Sequence, residues 1–384
     1  MAHRDIAFSK PGLTGKEFDY MAEAHANKRL SGNGIFTHKS QKLLQEMLSP
    51  DCTALLTHSC TAALEMSAIL LDIGPGDEVI MPSYTFVSTA NPFVLRGGVP
   101  VFVDVREDTL NLDETLIEAA ITEKTKAIAV VHYAGVSCEM DAILAVAEKY
   151  GLPVVEDAAQ GIMADYKKKP LGSIGTFGAM SFHDTKNVIS GEGGSLIIND
   201  PSFVERAEII WEKGTDRTRF ARGEADKYTW RDIGSSYLPS ELTAAFLYAQ
   251  LEDAKKLTEA RLALWNSYHA RFRELDARYA LRLPSIPAGC THNGHIYYVI
   301  FPSSELCNAF LHYSKANGMG AVSHYVPLHS SPAGRKFCRA NGDLPVTNSQ
   351  ASRLVRLPLW HGMCMDDVEY IVDKTDHFLK TSTL

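Results

Sequence analysis

Between about residue 50 and residue 200, short apolar runs alternate with stretches of helical periodicity, and no other feature narrows the fold as far. "GDEVIMP", "VPVFVDV", "KAIAVVHY", "LPVVEDAA", "FGAMSFH" and "GSLIIND" are apolar or β-branched and bounded by Gly, Pro or charge, the pattern of buried strands. "TAALEMSAILLDIG", stopping at Gly74, "DETLIEAAI" and "EMDAILAVAEKY" space their apolar residues as helices do. Such alternation predicts an α/β fold, a mostly parallel sheet covered by helices. After about residue 240 the texture changes. "SELTAAFLYAQLEDAKKLTEARLALWNSYHARFREL" predicts two helices meeting near Asp253, and "HIYYVIFP" and "GAVSHYVPLH" follow as shorter mixed elements. The expected division is a large α/β domain over residues 1–250, then a long helix and a small C-terminal α+β domain over 251–384, with no flexible linker between them.

A chain of 384 residues with 45% hydrophobic and 22% charged residues suits an enzyme-sized globular protein. Its net charge is −8 and it has no long basic run, which argues against a nucleic-acid or anionic-membrane surface. "MAHRDIAFSKPGLTGKEFDY" lacks the apolar core of a secretory signal, and no run approaches the ~18 apolar residues of a membrane helix. The seven cysteines are sparse and never in C-x-x-C spacing, which favours neither a disulfide framework nor a metal site. Cytosol is the expected compartment.

In open α/β sheets, ligands bind beyond the carboxyl ends of the strands. After "PVVE" come Asp157 and Gln160; after "AMSF" comes "HDTK" with Lys186; after "VIMP" come Tyr84 and Phe86; before the first helix stand Ser59, Cys60 and Thr61. Singly, each has a plain structural reading: Asp157, Ser59 and Thr61 suit helix caps, Phe86 a core, Lys186 a solvated surface, and Gly191, Gly193 and Gly194 a tight turn. Together they form the parts of a pyridoxal phosphate (PLP) site. An amine forms a Schiff base, an acid keeps the pyridine nitrogen protonated, a helix N-terminus with hydroxyls takes the phosphate, and an aromatic ring stacks on the pyridine. The glycines are expected to let backbone pass close to the cofactor.

"SFHDTKNVISGEGG", "EVIMPSYTFVSTANPFVLRGGVPVFVDV", "VVEDAAQ" and "SCTAALEM" resemble, in order, the motifs of the DegT/DnrJ/EryC/StrS sugar aminotransferases, a fold type I PLP family. The resemblance spans nearly the whole chain. It implies that Lys186 forms the Schiff base and moves the proton, and that Asp157 pairs with the pyridine nitrogen. Ser181, Thr61 and the Ala62 N–H would bind phosphate beside Cys60, Phe86 would stack, and Gln160 would lie near the ring hydroxyl. It further implies a homodimer with shared active sites. A partner-chain Asn of that family is replaced here within "DIGSSYLPSEL", leaving Ser236 as the candidate contact. "GNGIFT" and "SHYVPLH", with His324, Tyr325 and His329, correspond to loops around the nucleotide sugar. "WEKGTDRTRFARG", with Lys213, Arg217, Arg219 and Arg222, is a candidate for its diphosphate. Further likeness in "VHYAGV", "DKYTWRDIGSSYL" and "RLALW" implies L-glutamate as donor and C4 of dTDP-4-keto-6-deoxy-D-glucose as acceptor.

Other readings have distinguishing marks. PLP-family sugar dehydratases carry His where this chain has Lys186. A nicotinamide dehydrogenase needs an early G-x-G-x-x-G, and "GMGAVS" at Gly318 lacks the third Gly and the position. A non-catalytic PLP sensor would retain Lys186 and Asp157 but show no spectral response to glutamate.

Overall fold

The computed structural model describes residues 4–382. The predicted strands are present as β2 (Glu78–Pro82), β3 (Val99–Val103), β4 (Thr125–Val131), β5 (Val154–Asp157), β6 (Phe177–Ser181) and β7 (Gly194–Ile198). They follow a strand the periodicity left out, β1 (Thr53–Thr57), whose five residues begin and end in Thr. Later come β8 (Tyr297–Ile300), β9 (Arg339–Ala340) and β10 (Leu354–Leu357). Among the described residues, eight strands form one sheet in the order β1-β7-β6-β5-β4-β2-β3-β9. All neighbours are parallel except those of β7, which runs against both β1 and β6. β2 to β6 are almost wholly buried, as expected of mostly apolar strands when helices cover both faces.

Helix Cys60–Leu70 begins where Ser59 accepts the Ala62 N–H at 3.1 Å, and its buried face packs on the sheet beside Phe93, Phe177 and Trp211. "DETLIEAAI" makes only a 3₁₀ turn, Glu114–Leu116, continued by Ile117–Ala120. The long helical pattern breaks at Asp253 as predicted, into Glu241–Glu252 and Ala254–Tyr279. Ala254–Tyr279 presents Trp265, Tyr268 and Phe272 to a second apolar cluster, with Tyr297 of β8, Val355 of β10 and Ile371. β8 and β10 pair antiparallel. "GAVSHYVPLH" is largely irregular: Val322 and Arg356 exchange backbone hydrogen bonds at 3.0 and 2.8 Å, and a 3₁₀ turn follows at Leu328–Ser330.

"GNGIFT" is held by Glu241, whose buried carboxylate accepts the N–H groups of Gly34, Phe36 and Thr37 at 3.0, 2.8 and 3.1 Å and so caps the helix Ile35–Leu48. A carboxylate here meets both the orphan amides and the positive end of the helix dipole. Glu241→Ala is expected to destabilise the fold by about 3 kcal/mol, because those amides would stay buried without acceptors. Urea unfolding would read this as a lower midpoint at unchanged slope; an unchanged midpoint would contradict it.

Candidate active site

A cavity of about 640 Å³ opens beyond the carboxyl ends of β1, β2, β4, β5 and β6, and β10 with residues 323–325 forms its opposite wall. Asp157, the last residue of β5, is 6% exposed. Its Oδ2 accepts from Thr89 Oγ1 at 2.7 Å and its Oδ1 from the Ala159 N–H at 3.2 Å; Thr89 in turn meets Thr85 Oγ1 at 2.7 Å. Burial raises the Asp157 carboxyl above its ordinary value, and those hydrogen bonds and the nearby Lys186 act against the rise.

Lys186 stands in the turn after β6, its N–H bonded to the His183 carbonyl at 2.9 Å. The next residue fixes this turn. Asn187 donates to the Asn293 carbonyl at 2.9 Å and shares a 3.0 Å hydrogen bond with His295 Nδ1. Burial pulls the Lys186 ammonium below its ordinary value; Cys60 and Asp157 oppose this, and Arg356 adds to it. Burial likewise raises the Cys60 thiol well above its usual range, so Cys60 faces the cavity as a protonated thiol.

The glycine cluster answers to other backbone more than to a ligand. Gly191 turns the chain at φ 79°, and a Cβ on Gly194 would lie 2.4 Å from the Cys60 nitrogen. Side-chain-free backbone is thus needed where the start of β7 presses on the start of helix Cys60–Leu70; Gly193 alone of the three lines the cavity.

Hydroxyl groups gather at that helix start: Ser59, Thr61, Ser88 and Ser181 all line the cavity, with Thr61 donating to Ser88 at 2.8 Å. Phe86 forms part of the wall, 55% exposed and tilted against Tyr325 at 6.3 Å between ring centres. Gln160 Oε1 accepts the Ala134 N–H at 2.7 Å, and its Nε2 donates to the Tyr325 hydroxyl at 3.0 Å. His324 stacks on Tyr325 at 3.7 Å, and its Nδ1 meets the Tyr133 hydroxyl at 2.7 Å. Behind this layer the buried His132 accepts the Cys138 N–H on Nδ1 at 3.2 Å and faces Glu156 through Nε2 at 2.8 Å. Against the effect of burial, Cys138 and Glu156 push this imidazole up to about 10, but the Cys138 N–H aimed at Nδ1 needs a lone pair there, which favours a neutral ring donating from Nε2 to Glu156.

The structure therefore brings together Lys186, Asp157, Cys60, Thr61, Phe86, Gln160, Ser181, His324 and Tyr325. It does not bring the other candidates to this cavity. The Ala62 N–H is taken by Ser59. His329 is turned to Ser83 Oγ, 2.7 Å from its Nδ1. Lys213 is exposed and pairs with Glu212 at 3.2 Å, Arg217 lies 5.9 Å from the Tyr228 ring, and Ser236 sits exposed opposite Glu212. Arg219 and Arg222 are engaged by Glu205 and Glu208. Conversely, the cavity wall includes Arg261, His295 and Arg356, which local sequence reading missed. One signal was available: an arginine inside the apolar run "LVRLP".

A buried amine and a buried carboxylate facing one cavity at the strand ends define an enzyme site of the α/β class. A profile of the DegT/DnrJ/EryC1/StrS aminotransferase family matches residues 13–376. The spore coat polysaccharide biosynthesis protein SpsC of Bacillus subtilis is 33% identical over 338 residues, 85% of each chain. A protein of Methanocaldococcus jannaschii is 36% identical over 83% of this chain and 84% of its own. The crystal structure of the aminotransferase TlmJ from Streptoalloteichus hindustanus superposes with a TM-score of 0.90 at 27% identity, covering 99% of this chain and 100% of that one. The chain belongs to the DegT/DnrJ/EryC1/StrS aminotransferase family, and is thus a PLP-dependent sugar aminotransferase with the fold type I architecture expected from its sequence. No helix among the described residues is long and apolar enough to cross a membrane.

Proposed function

We propose that this cavity holds PLP and transfers the amino group of L-glutamate to C4 of dTDP-4-keto-6-deoxy-D-glucose. The products are 2-oxoglutarate and dTDP-4-amino-4,6-dideoxy-D-galactose. The observation that carries the cofactor assignment is the pairing of Lys186 with Asp157 across one cavity whose rim is a hydroxyl-lined helix start. The donor set fits the group: Thr61, Ser181 and the helix N-terminus beside Cys60 suit the phosphate, Asp157 suits a protonated ring nitrogen, Phe86 offers a ring face, and Gln160 stands beside Tyr325. PLP supplies an electron sink that lets a carbon-bound hydrogen leave as a proton. Lys186 tethers the cofactor and then, as a free amine with a lowered pKa, accepts that proton and returns it. Asp157 keeps the ring nitrogen charged, and the Thr85–Thr89 hydroxyl chain aims its carboxylate.

His324 and Tyr325, on the wall opposite Asp157, are positioned to touch the sugar. Ser236, Lys213, Arg217, His329 and the Ala62 N–H belong to this reading as contacts made in a homodimer or on substrate closure. The dimer reading is supported by large exposed side chains, with Trp230 81% and Leu95 72% exposed. An active monomer in light scattering would contradict it. The division into residues 1–250 and 251–384 is part of the same proposal, supported by the cluster around Tyr268, Tyr297 and Ile371, which draws chiefly on residues beyond 264.

The choice of C4 rests on the resemblance of "VHYAGV", "DKYTWRDIGSSYL" and "RLALW". A place in surface polysaccharide or lipopolysaccharide synthesis belongs to the same proposal, and the likeness to SpsC, a spore coat polysaccharide biosynthesis protein, supports its polysaccharide part. The face from which Lys186 returns the proton sets an axial or equatorial amine, so NMR of the product made from 3-keto and 4-keto dTDP-sugars with L-glutamate decides the matter. An axial C4 amine is expected; a C3 amine or an equatorial C4 amine would overturn the substrate while leaving the class intact.

A further inference from the structure

The segment Asn293–Ile296 runs along the cavity into β8, and each of its four carbonyls accepts from a side chain. Asn187 Nδ2 takes Asn293 at 2.9 Å, Arg261 takes Gly294 at 3.2 Å and His295 at 2.5 Å, and Trp265 Nε1 takes Ile296 at 3.2 Å. The Asn293 side chain is buried. Its Nδ2 donates to the Gln160 and Ile162 carbonyls, both at 2.7 Å, and its Oδ1 accepts the His295 N–H at 3.0 Å. Gly135 makes room for it, since a Cβ there would lie 2.0 Å from Asn293 Oδ1. The segment is thus fastened to the chain after β5 on one side and to the long helix on the other. From the excursion that carries Lys186, residues 182–192, Asn187 is the one side chain that hydrogen-bonds to a distant part of the chain among the described residues.

This network decides where the hydrogen sits on the His295 ring. A carbonyl only accepts, so the Asn187 nitrogen points at Asn293 and its oxygen at His295 Nδ1, 3.0 Å away. Nδ1 therefore carries the hydrogen, and in a neutral ring Nε2 carries a lone pair. The ring is neutral: burial, then the positive groups Lys186, Arg261, Arg356 and His324, hold it well below its ordinary value, and Lys186 comes first among those groups. Nε2 has no hydrogen-bond partner among the described residues, and His295 lines the cavity that Lys186 enters. Other acceptors on that wall are engaged. Asp157 accepts from Thr89 and the Ala159 N–H, Gln160 Oε1 accepts the Ala134 N–H, and His324 Nδ1 meets the Tyr133 hydroxyl.

We infer that His295 is a positioning residue for the transfer step, its Nε2 accepting a hydrogen bond from Lys186 whenever that side chain is free of the cofactor. The inference rests on the aminotransferase reading of the cavity and adds to it a partner for the working amine. A buried amine or ammonium with no acceptor is costly, and a flexible four-carbon stem does not aim itself. An amine that donates one N–H to Nε2 keeps its lone pair directed away from His295, free to take the proton from carbon. Once it holds that proton, the ammonium keeps the same contact and gives the proton back to carbon. Nζ gains one hydrogen and loses one, and none passes to His295. Asn187 then serves two ends: it fixes the turn that bears Lys186, and it fixes the ring that receives it.

The first test needs no turnover. In the cofactor-free full chain with nitrogen-15 histidine, NMR should show His295 as the Nδ1–H tautomer, and Lys186→Ala should move its Nε2 resonance. The second uses the holoenzyme and two variants, each first checked for a parent-like melting profile. His295→Leu offers no acceptor; His295→Gln can offer its amide oxygen near the place of Nε2. In His295→Leu, kcat is expected to fall about 100-fold with KM for L-glutamate within about threefold, as misaiming of a reacting group does. The isotope effect from α-deuterated L-glutamate should rise with it, and His295→Gln should recover most of the rate. An Nε2–H tautomer, an Nε2 resonance indifferent to Lys186→Ala, or a loss carried by KM with kcat intact would each overturn the inference, and the NMR decides the matter even where His295→Leu does not fold. A parent enzyme that responds to no amino acid would instead overturn the aminotransferase reading.

Discussion

Lys186→Ala is expected to fold and to lose steady-state turnover by about four decades or more, since one side chain both tethers the cofactor and carries the proton. The fold should survive because the cavity penalises this charge. The pKa of Lys186 is lowered in the folded chain. Its cost to stability is therefore full at pH below that folded pKa, and it fades as pH rises toward the unfolded value of about 10.4. Removing the side chain near neutral pH should leave the cofactor-free protein as stable as the parent or more so, a common pattern where function strains a site. Turnover and thermal melting on the same preparation check both halves. Retained turnover, or borohydride fixing PLP to a different residue, would remove Lys186 from its role.

Asp157→Asn should cost roughly two or more decades in rate while still binding PLP. The amide keeps the size of the carboxylate but cannot hold a ring nitrogen in its protonated state. Packing should tolerate it for a specific reason. The Thr85 and Thr89 hydroxyls are 2.7 Å apart and either can donate. Thr89 can therefore turn its proton to Thr85 and accept from the new amide, while the other oxygen keeps the Ala159 N–H. A near-normal kcat for this variant would reject the assignment.

The strand ends were legible because buried parallel strands write their own signature. Each is a short, mostly apolar run bounded by Gly, Pro or a polar residue, so Asp157 and Lys186 could be placed at one end of a sheet before any contact was known. The helix break at Asp253 was legible for the same local reason. The opposite wall was not. Arg261 and Arg356 reach the cavity from a long helix and from a strand of a separate two-stranded sheet, and nothing in their neighbours' periodicity says which face they share. "GNGIFT", assigned to a substrate loop by resemblance, also carries a structural duty that its letters did not show: Gly34 packs against Glu241, where a Cβ would lie 2.5 Å from the carboxylate carbon. The glycines after Lys186 were read as room for a ligand, and two of the three instead serve the chain's own turn and backbone contact. Ser236 was chosen by likeness of segment, and Lys213 and Arg217 by the clustering of basic residues in "WEKGTDRTRFARG", a signal that does not say which face of the molecule they share.

The two-residue strand β9 has a consequence for how the chain comes off the ribosome. The outer edge of β3 is covered by Arg339 and Ala340 alone among the described strands. Two buried acids beneath it also wait for late residues. Glu78 is bound by Arg339 at 2.8 Å, and Asp104 accepts the Val346 and Thr347 N–H groups at 2.9 and 2.8 Å. Asp104 and Thr347 are 243 positions apart. At about 5–20 residues per second, the nascent sheet keeps a bare edge for roughly 12–50 s, with Glu78 held only by Thr122 and Asp104 only by the Val105 N–H. That interval leaves the edge of β3 open to edge-to-edge mispairing, and it closes only once residues 339–347 have been made.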